Sequence, residues 1–170
     1  MVARISASRP AARAFREEID EIVRRADDLR STLLAAAQDD ERAFERVVDS
    51  TALPKNDPAR ADAVQRALEG AARAPLGAIA VALDVQRATV ALLKFSGQQL
   101  ISDLGCAAEF AGAAVAAAAY NVRVNHRFMR DAAIVERQSL ELSAYERESH
   151  ALLQTVRRRA AGGSPNPPEG

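Results

Sequence analysis

Aromatic residues make up only 4% of this 170-residue chain, and cysteine occurs once, at Cys106. The aromatic shortage removes the stacking surfaces on which most nucleic-acid-binding modules depend. Charge offers no substitute, because 23 Lys+Arg balance 23 Asp+Glu and no net field draws the chain to a polyanion. A single cysteine excludes an intramolecular disulfide framework and a cysteine-rich zinc site, and no His/Cys/Asp cluster has metal-ligand spacing, so no metal is expected. Cys106 itself reads as a small buried apolar residue. Lysine is scarce too, limited to Lys55 and Lys94. Met1-Val2-Ala3-Arg4-Ile5-Ser6 lacks the long apolar core of a secretory signal. The weakly charged run from Leu104 to Val122 is mostly alanine and glycine, a poor membrane span. These absences leave the expectation of a soluble cytoplasmic protein with neither a nucleic-acid nor a membrane partner.

Alternating β-type runs are missing as well, and apolar residues at helical spacing fill the chain from about Ala11 to Val156. The expected fold class is all-α: a bundle of long antiparallel helices in one domain, residues 1–160, with a disordered tail at 161–170. No glycine or proline interrupts the stretch between Ala11 and Leu53, which predicts one continuous helix ended by Pro54. Asp57 before Pro58 is a cap and first-turn pair for the next helix. Pro75 must kink that helix or open a new one. Ser102 is a candidate N-cap for a helix running to about Phe128, so rich in alanine and glycine that neighbours can approach closely, which predicts a central place. The last helix spans about Asp131 to Arg159. Gly162 to Gly170 has the composition of an unpacked tail.

One residue breaks the first long helix's pattern. Phe15, Ile19, Ile22, Ala26, Leu29, Leu33, Ala37, Asp40, Phe44 and Val47 recur at steps of three and four, and only Asp40 is polar. A carboxylate on that face is paired, protonated, or open to a ligand cleft, unless Asp40 instead caps a new helix beginning at Glu41. The alanine-rich helix poses a similar question. Asp103 and Asn121 are 18 residues apart, five ideal turns, and Asn125 follows one turn later. These three are read as facing inward, as groups for a pterin-like or amide-bearing ligand; the alternative for the two asparagines is interhelical hydrogen bonding or a solvent-facing position.

Four blocks in one order, Asp40-Glu41-Arg42-Ala43-Phe44, Leu53-Pro54-Lys55, Ala74-Pro75-Leu76, and Ser102-Asp103-Leu104-Gly105 with Asn121-Val122-Arg123-Val124-Asn125, resemble the cyclodeaminase/cyclohydrolase family of folate enzymes. The family includes bacterial methenyltetrahydrofolate cyclohydrolases and the C-terminal domain of formiminotransferase-cyclodeaminase. The resemblance implies an all-helical homodimer with a tetrahydrofolate derivative as substrate and no metal. It also implies a catalytic role for Asp40 and substrate-lining positions at Lys55, Ser102, Asp103, Asn121 and Asn125. For Arg60 and Arg66, near Lys55, two readings stand: contact with the folate glutamate tail, or a solvated basic surface. The leading reaction is hydrolysis of 5,10-methenyltetrahydrofolate to the 10-formyl form. Cyclodeamination of 5-formiminotetrahydrofolate is the close alternative, and a non-catalytic helical dimerisation module the distant one. The chain departs from the family in lacking a Gly-rich turn that opens an Ala-rich first helix, and in His126, where an apolar residue is usual and a structural role is expected.

Overall fold

The computed structural model describes residues 1–8 and 10–162, and five α-helices carry its architecture: α1 (Val2–Ala7), α2 (Arg16–Ala52), α3 (Arg60–Leu92), α4 (Ile101–His126) and α5 (Ala132–Ala160). No strand occurs among the described residues. The expected tail lies mostly outside them, from residue 163 onward. A 3-10 segment, Pro10–Phe15, precedes α2, so the first long helix starts at Arg16 rather than near Ala11. It then runs unbroken past Asp40, which removes the reading of that residue as a cap.

Interhelical pairs fix the antiparallel arrangement. The start of α2 meets the end of α3 through Lys94 with Glu18 and Arg25 with Asp84, the latter at 2.9 Å. α3 and α4 run oppositely, with Gln86 reaching Ala108 and Asn125 reaching Ala71. Arg157 with Glu109 and His126 with Gln138 tie α4 to α5. α3 is the helix against which α2, α4 and α5 all pack.

The core has two apolar clusters. One gathers Ile19, Ile22, Leu92, Leu93, Ile101, Leu104 and Val156 where α1 closes one end. The other gathers Leu76, Ile79, Leu83, Val115, Val122 and Leu142 among α3, α4 and α5. By length and composition α3 and the stretch Gln98–His126 are apolar enough to cross a bilayer, but 44% and 33% of their most apolar windows are buried in the bundle.

Local chemistry sets the helix ends. Arg60 donates to the carbonyls of Leu53 and Thr51 at 3.0 and 3.1 Å, satisfying open acceptors at the C-terminus of α2. Asp57 accepts from the Ala59 amide at 2.8 Å in the turn before α3, and Asp131 caps α5 by accepting from Ala133 and Ile134. Gly162, at φ 88°, closes α5 in the left-handed conformation that glycine adopts without penalty. Ser102 is not the cap of α4. The helix begins one residue earlier, at Ile101, after a 3-10 turn over Gln98–Leu100.

Pro75 opens no new helix; it is buried inside one continuous helix. Its ring nitrogen cannot donate to the Ala71 carbonyl. The freed acceptor is taken by the Asn125 amide at 3.1 Å.

Candidate functional site

Asp40 is exposed and so are Ala37 and Phe44 beside it, whereas Ala36 is half-buried and Ala43 buried. The expectation of a core-facing carboxylate is corrected accordingly. The buried positions Ile22, Leu29, Ala43 and Ser50, with Ala36 between them, fall at multiples of seven. Asp40, four residues after Ala36 and three before Ala43, stands on the flank of that line, where Leu33 and Val47 are half-buried and Asp40 itself is exposed. Among the described residues Asp40 makes no ion pair, while neighbouring Asp39 is held by Arg42 at 3.2 Å.

The α2–α3 pairs also give the level of Asp40 in the bundle. Carrying their register along the helices sets it opposite the Gly70–Ala71 segment of α3, and Asp39 does share a cleft with Gly70, Arg73 and Ala74. Ala71 is in turn the residue that Asn125 of α4 reaches. Asp40, Ala71 and Asn125 therefore lie at one height, with Asn121 one turn away on α4.

The inward reading of Asp103 and Asn121 is also corrected: both are exposed, and Asn125 is half-buried. They do share an azimuth, but the face α4 turns inward carries Leu104, Ala108, Ala111, Val115, Ala119 and Val122. Their 18-residue separation is about 27 Å along the axis, so they belong to opposite ends of the bundle. Ser102 is exposed next to Asp103 in the first turn of α4, where a carboxylate meets the positive end of the helix dipole. Lys55 lies exposed in the α2–α3 turn, beyond about 18 Å of helix from Asp40. Arg60, proposed for a substrate tail, is spent on the α2 terminus. Of the six expected site residues, Asp40, Asn121 and Asn125 come to one level; Lys55, Ser102 and Asp103 do not join them within one chain. Cys106, expected to be buried, is exposed.

Two clefts flank α3. One, about 620 Å³, is walled by Leu29, Leu33, Val85, Leu92, Leu104 and Cys106, with Arg30 and Asp103 as its charged members. The other, about 590 Å³, is floored by Gly70, Ala74 and Gly77 and bounded by Asp39, Arg46, Arg73, Glu141 and Tyr145. Burial raises the Tyr145 phenol above its ordinary value, and its hydrogen bond to Glu141 at 2.8 Å adds to the rise. Nearby, burial disfavours ionisation of Asp84, but hydrogen bonds from Arg87 and Arg25 outweigh it and hold the carboxyl below its usual range. His126 has a structural place, its two ring nitrogens facing Gln138 at 2.8 Å and Ser139 at 3.4 Å. No cluster of three metal-ligating side chains occurs among the described residues.

The interhelical bond from Asn125 to Ala71 was foreseen only as one of two open readings, and its cause escaped. The signal was present: a proline within a helical pattern frees the carbonyl four residues earlier, and an asparagine on the neighbouring helix can fill it.

A sequence profile of the formiminotransferase-cyclodeaminase family matches residues 1–144. The chain is 32% identical over 143 residues to a methenyltetrahydrofolate cyclohydrolase of Methylorubrum extorquens, covering 82% of this chain and 69% of that protein. Its fold superposes on the crystal structure of a formiminotetrahydrofolate cyclodeaminase from Thermotoga maritima with a TM-score of 0.88 at 25% identity, over 95% of this chain and 79% of that one.

Proposed function

The chain belongs to the formiminotransferase-cyclodeaminase family, and from that premise we propose that it hydrolyses 5,10-methenyltetrahydrofolate to 10-formyltetrahydrofolate. The observation that carries the reading is Asp40: an exposed carboxylate, without an ion pair among the described residues, at the level of Asn121 and Asn125. The substrate carries a cationic amidinium carbon. Asp40 attracts that cation and takes a proton from water as the oxygen adds to the carbon. The tetrahedral adduct then opens at its bond to the ring nitrogen, N5, which receives the proton back from Asp40; the adduct's hydroxyl becomes the formyl carbonyl on N10 and gives its proton to solvent. Asn121, at the same level on α4, carries a donor and an acceptor for the substrate. Lys55, Ser102 and Asp103 stand too far along the bundle to join it from the same chain, and are assigned to more distant parts of the substrate or to a second protomer's site.

A homodimer fits this reading. α4 leaves an apolar stripe open, with Phe110 77% exposed and Tyr120 73% exposed beside Ala113, Ala117 and Val124. A second copy of the chain is the partner we assign to it, and the cytoplasm is the compartment in which a folate enzyme of this kind would act.

The second reading, cyclodeamination of 5-formiminotetrahydrofolate with release of ammonia, draws support from the Thermotoga fold match. Asp40 would serve it equally, relaying a proton to the departing nitrogen. Purified chain is to be given each substrate in turn, with absorbance of the methenyl ring and free ammonia followed together. Faster loss of the methenyl absorbance than in buffer, without ammonia from the formimino compound, is the expected result. Ammonia release favours the second reading, and inertness toward both leaves a non-catalytic dimerisation module.

A further inference from the structure

The flank of α2 that carries Asp40 leads into the apolar cleft. Arg30, Leu33, Ala37 and Asp40 follow one another at steps of three, four and three, and therefore share one side of the helix. Arg30 and Leu33 line the cleft of about 620 Å³ between α2, α3 and α4, whose walls are mostly apolar and whose basic side chain is Arg30. The other cleft, with Thr32, Ala36 and Asp39, opens on the opposite side of α2. Asp40 thus stands on the side of the apolar cleft, about 10 Å beyond Leu33. The charge of Arg30 is weakly engaged. Its guanidinium is exposed and 4.0 Å from Asp27, too far for a hydrogen bond, and that carboxylate is already held by Arg4 at 2.6 Å.

We propose that Arg30 binds the glutamate carboxylate of the substrate, with the aminobenzoyl ring lying along Ala37 and Leu33 at the mouth of the apolar cleft. This deepens the folate reading above and rests on it. It gives the bound substrate a direction: from the reacting carbon at Asp40 the molecule runs toward the α1 end of the bundle, away from the α2–α3 turn and Lys55. Lengths agree. Ten residues of helix separate Arg30 from Asp40, about 15 Å. From the reacting carbon to the carboxylate, a benzene ring, an amide and the glutamate α-carbon span about 10 Å, and the two side chains cover the remainder. Chemistry agrees as well, because the ring gains from apolar contact and a planar guanidinium takes a carboxylate through paired N–H bonds. Arg60, at the other end of α2, is committed to the carbonyls of Thr51 and Leu53.

Arg30→Gln removes the charge and keeps most of the side chain's length. With methenyltetrahydrofolate as the probe, the variant should show a KM about tenfold higher than the unaltered chain, the loss of one charge-assisted contact at an exposed site. A second probe, the same ring compound ending in an uncharged benzamide in place of the glutamate, has no carboxylate to lose, so both proteins should show the same KM for it. Equal KM values for the two proteins with methenyltetrahydrofolate would overturn the proposal while leaving the folate reading intact. A rise of the same size with the benzamide would overturn it too, because it would mark a structural effect of the substitution. Absence of turnover by the unaltered chain with either folate substrate would overturn both.

Discussion

Replacing Gln86 with methionine should make the protein more stable, although it deletes a hydrogen bond from the centre of the bundle. Gln86 is completely buried. Its Nε2 donates to the Ala108 carbonyl at 3.3 Å, a long contact, and its Oε1 has no partner. A long neutral hydrogen bond contributes about 0.5–1 kcal/mol net, and an unpaired buried acceptor costs about 1–3 kcal/mol. The Ala108 carbonyl loses little, because it sits inside α4 with the helix ladder available to it. Methionine matches glutamine in length and lack of branching, and it adapts to irregular space. That matters here, because even a Cβ on Gly112 would stand 3.2 Å from Gln86 Nε2 and 3.4 Å from Leu153 Cδ2. The balance is a gain of about 1 kcal/mol, or about 2–4 °C in Tm for a chain of this size. Urea titration gives the difference directly, provided the m-value is unchanged. A loss of more than about 1 kcal/mol would refute the reasoning, because it would mean Oε1 is satisfied in solution and the amide is a net stabiliser.

Acid should remove the stabilisation that Asp84 provides, from the ordinary carboxyl range downward. Its folded pKa lies below the unfolded one, so its contribution is complete above the ordinary carboxyl range near pH 4 and is lost as pH falls through the depressed folded value. Arg87→Met removes a bidentate pair with Glu148, both contacts 2.7 Å, and the tie to Asp84. The variant should be less stable by about 1–2 kcal/mol at pH 7, the groups being partly exposed, and its deficit should shrink toward pH 3; an undiminished deficit at pH 3 would assign it to lost packing. For the open stripe on α4, the unaltered chain should sediment as a dimer and the variant Phe110→Asp with Tyr120→Arg as a folded monomer. Sedimentation of both proteins as the same species would rule out that stripe as the contact.

Element types were legible from the chain because the signals were strong and local. The proline-free stretch from Arg16 to Ala52 made one helix, and Leu53-Pro54 stopped it where expected. Asp131 began the last helix as a cap. Orientation was harder to read. Along α4 both faces are rich in alanine, so periodicity offered no contrast between the inward line of Leu104, Val115 and Val122 and the outward line of Asp103, Phe110 and Asn121. On α2 the contact line runs through Ile22, Leu29, Ala43 and Ser50, a narrower stripe than the apolar one in the sequence, and Asp40 lies on its exposed flank although its neighbours at three and four steps are apolar. Lys55 and Asp103 could not be placed from motif order, since sequence blocks do not state their level in an antiparallel bundle. Asn125 was recognised as important before its task was visible, because that task depends on a carbonyl four residues before a proline in another helix.

The most direct measurement is the turnover of methenyltetrahydrofolate by Asp40→Asn beside the unaltered chain. Asp40 is exposed and unpaired among the described residues, so the substitution should change stability by less than about 0.5 kcal/mol. Loss of a proton acceptor at the reacting carbon should lower kcat/KM by about a hundredfold or more. Retention of full activity by a normally folded Asp40→Asn protein would contradict the account.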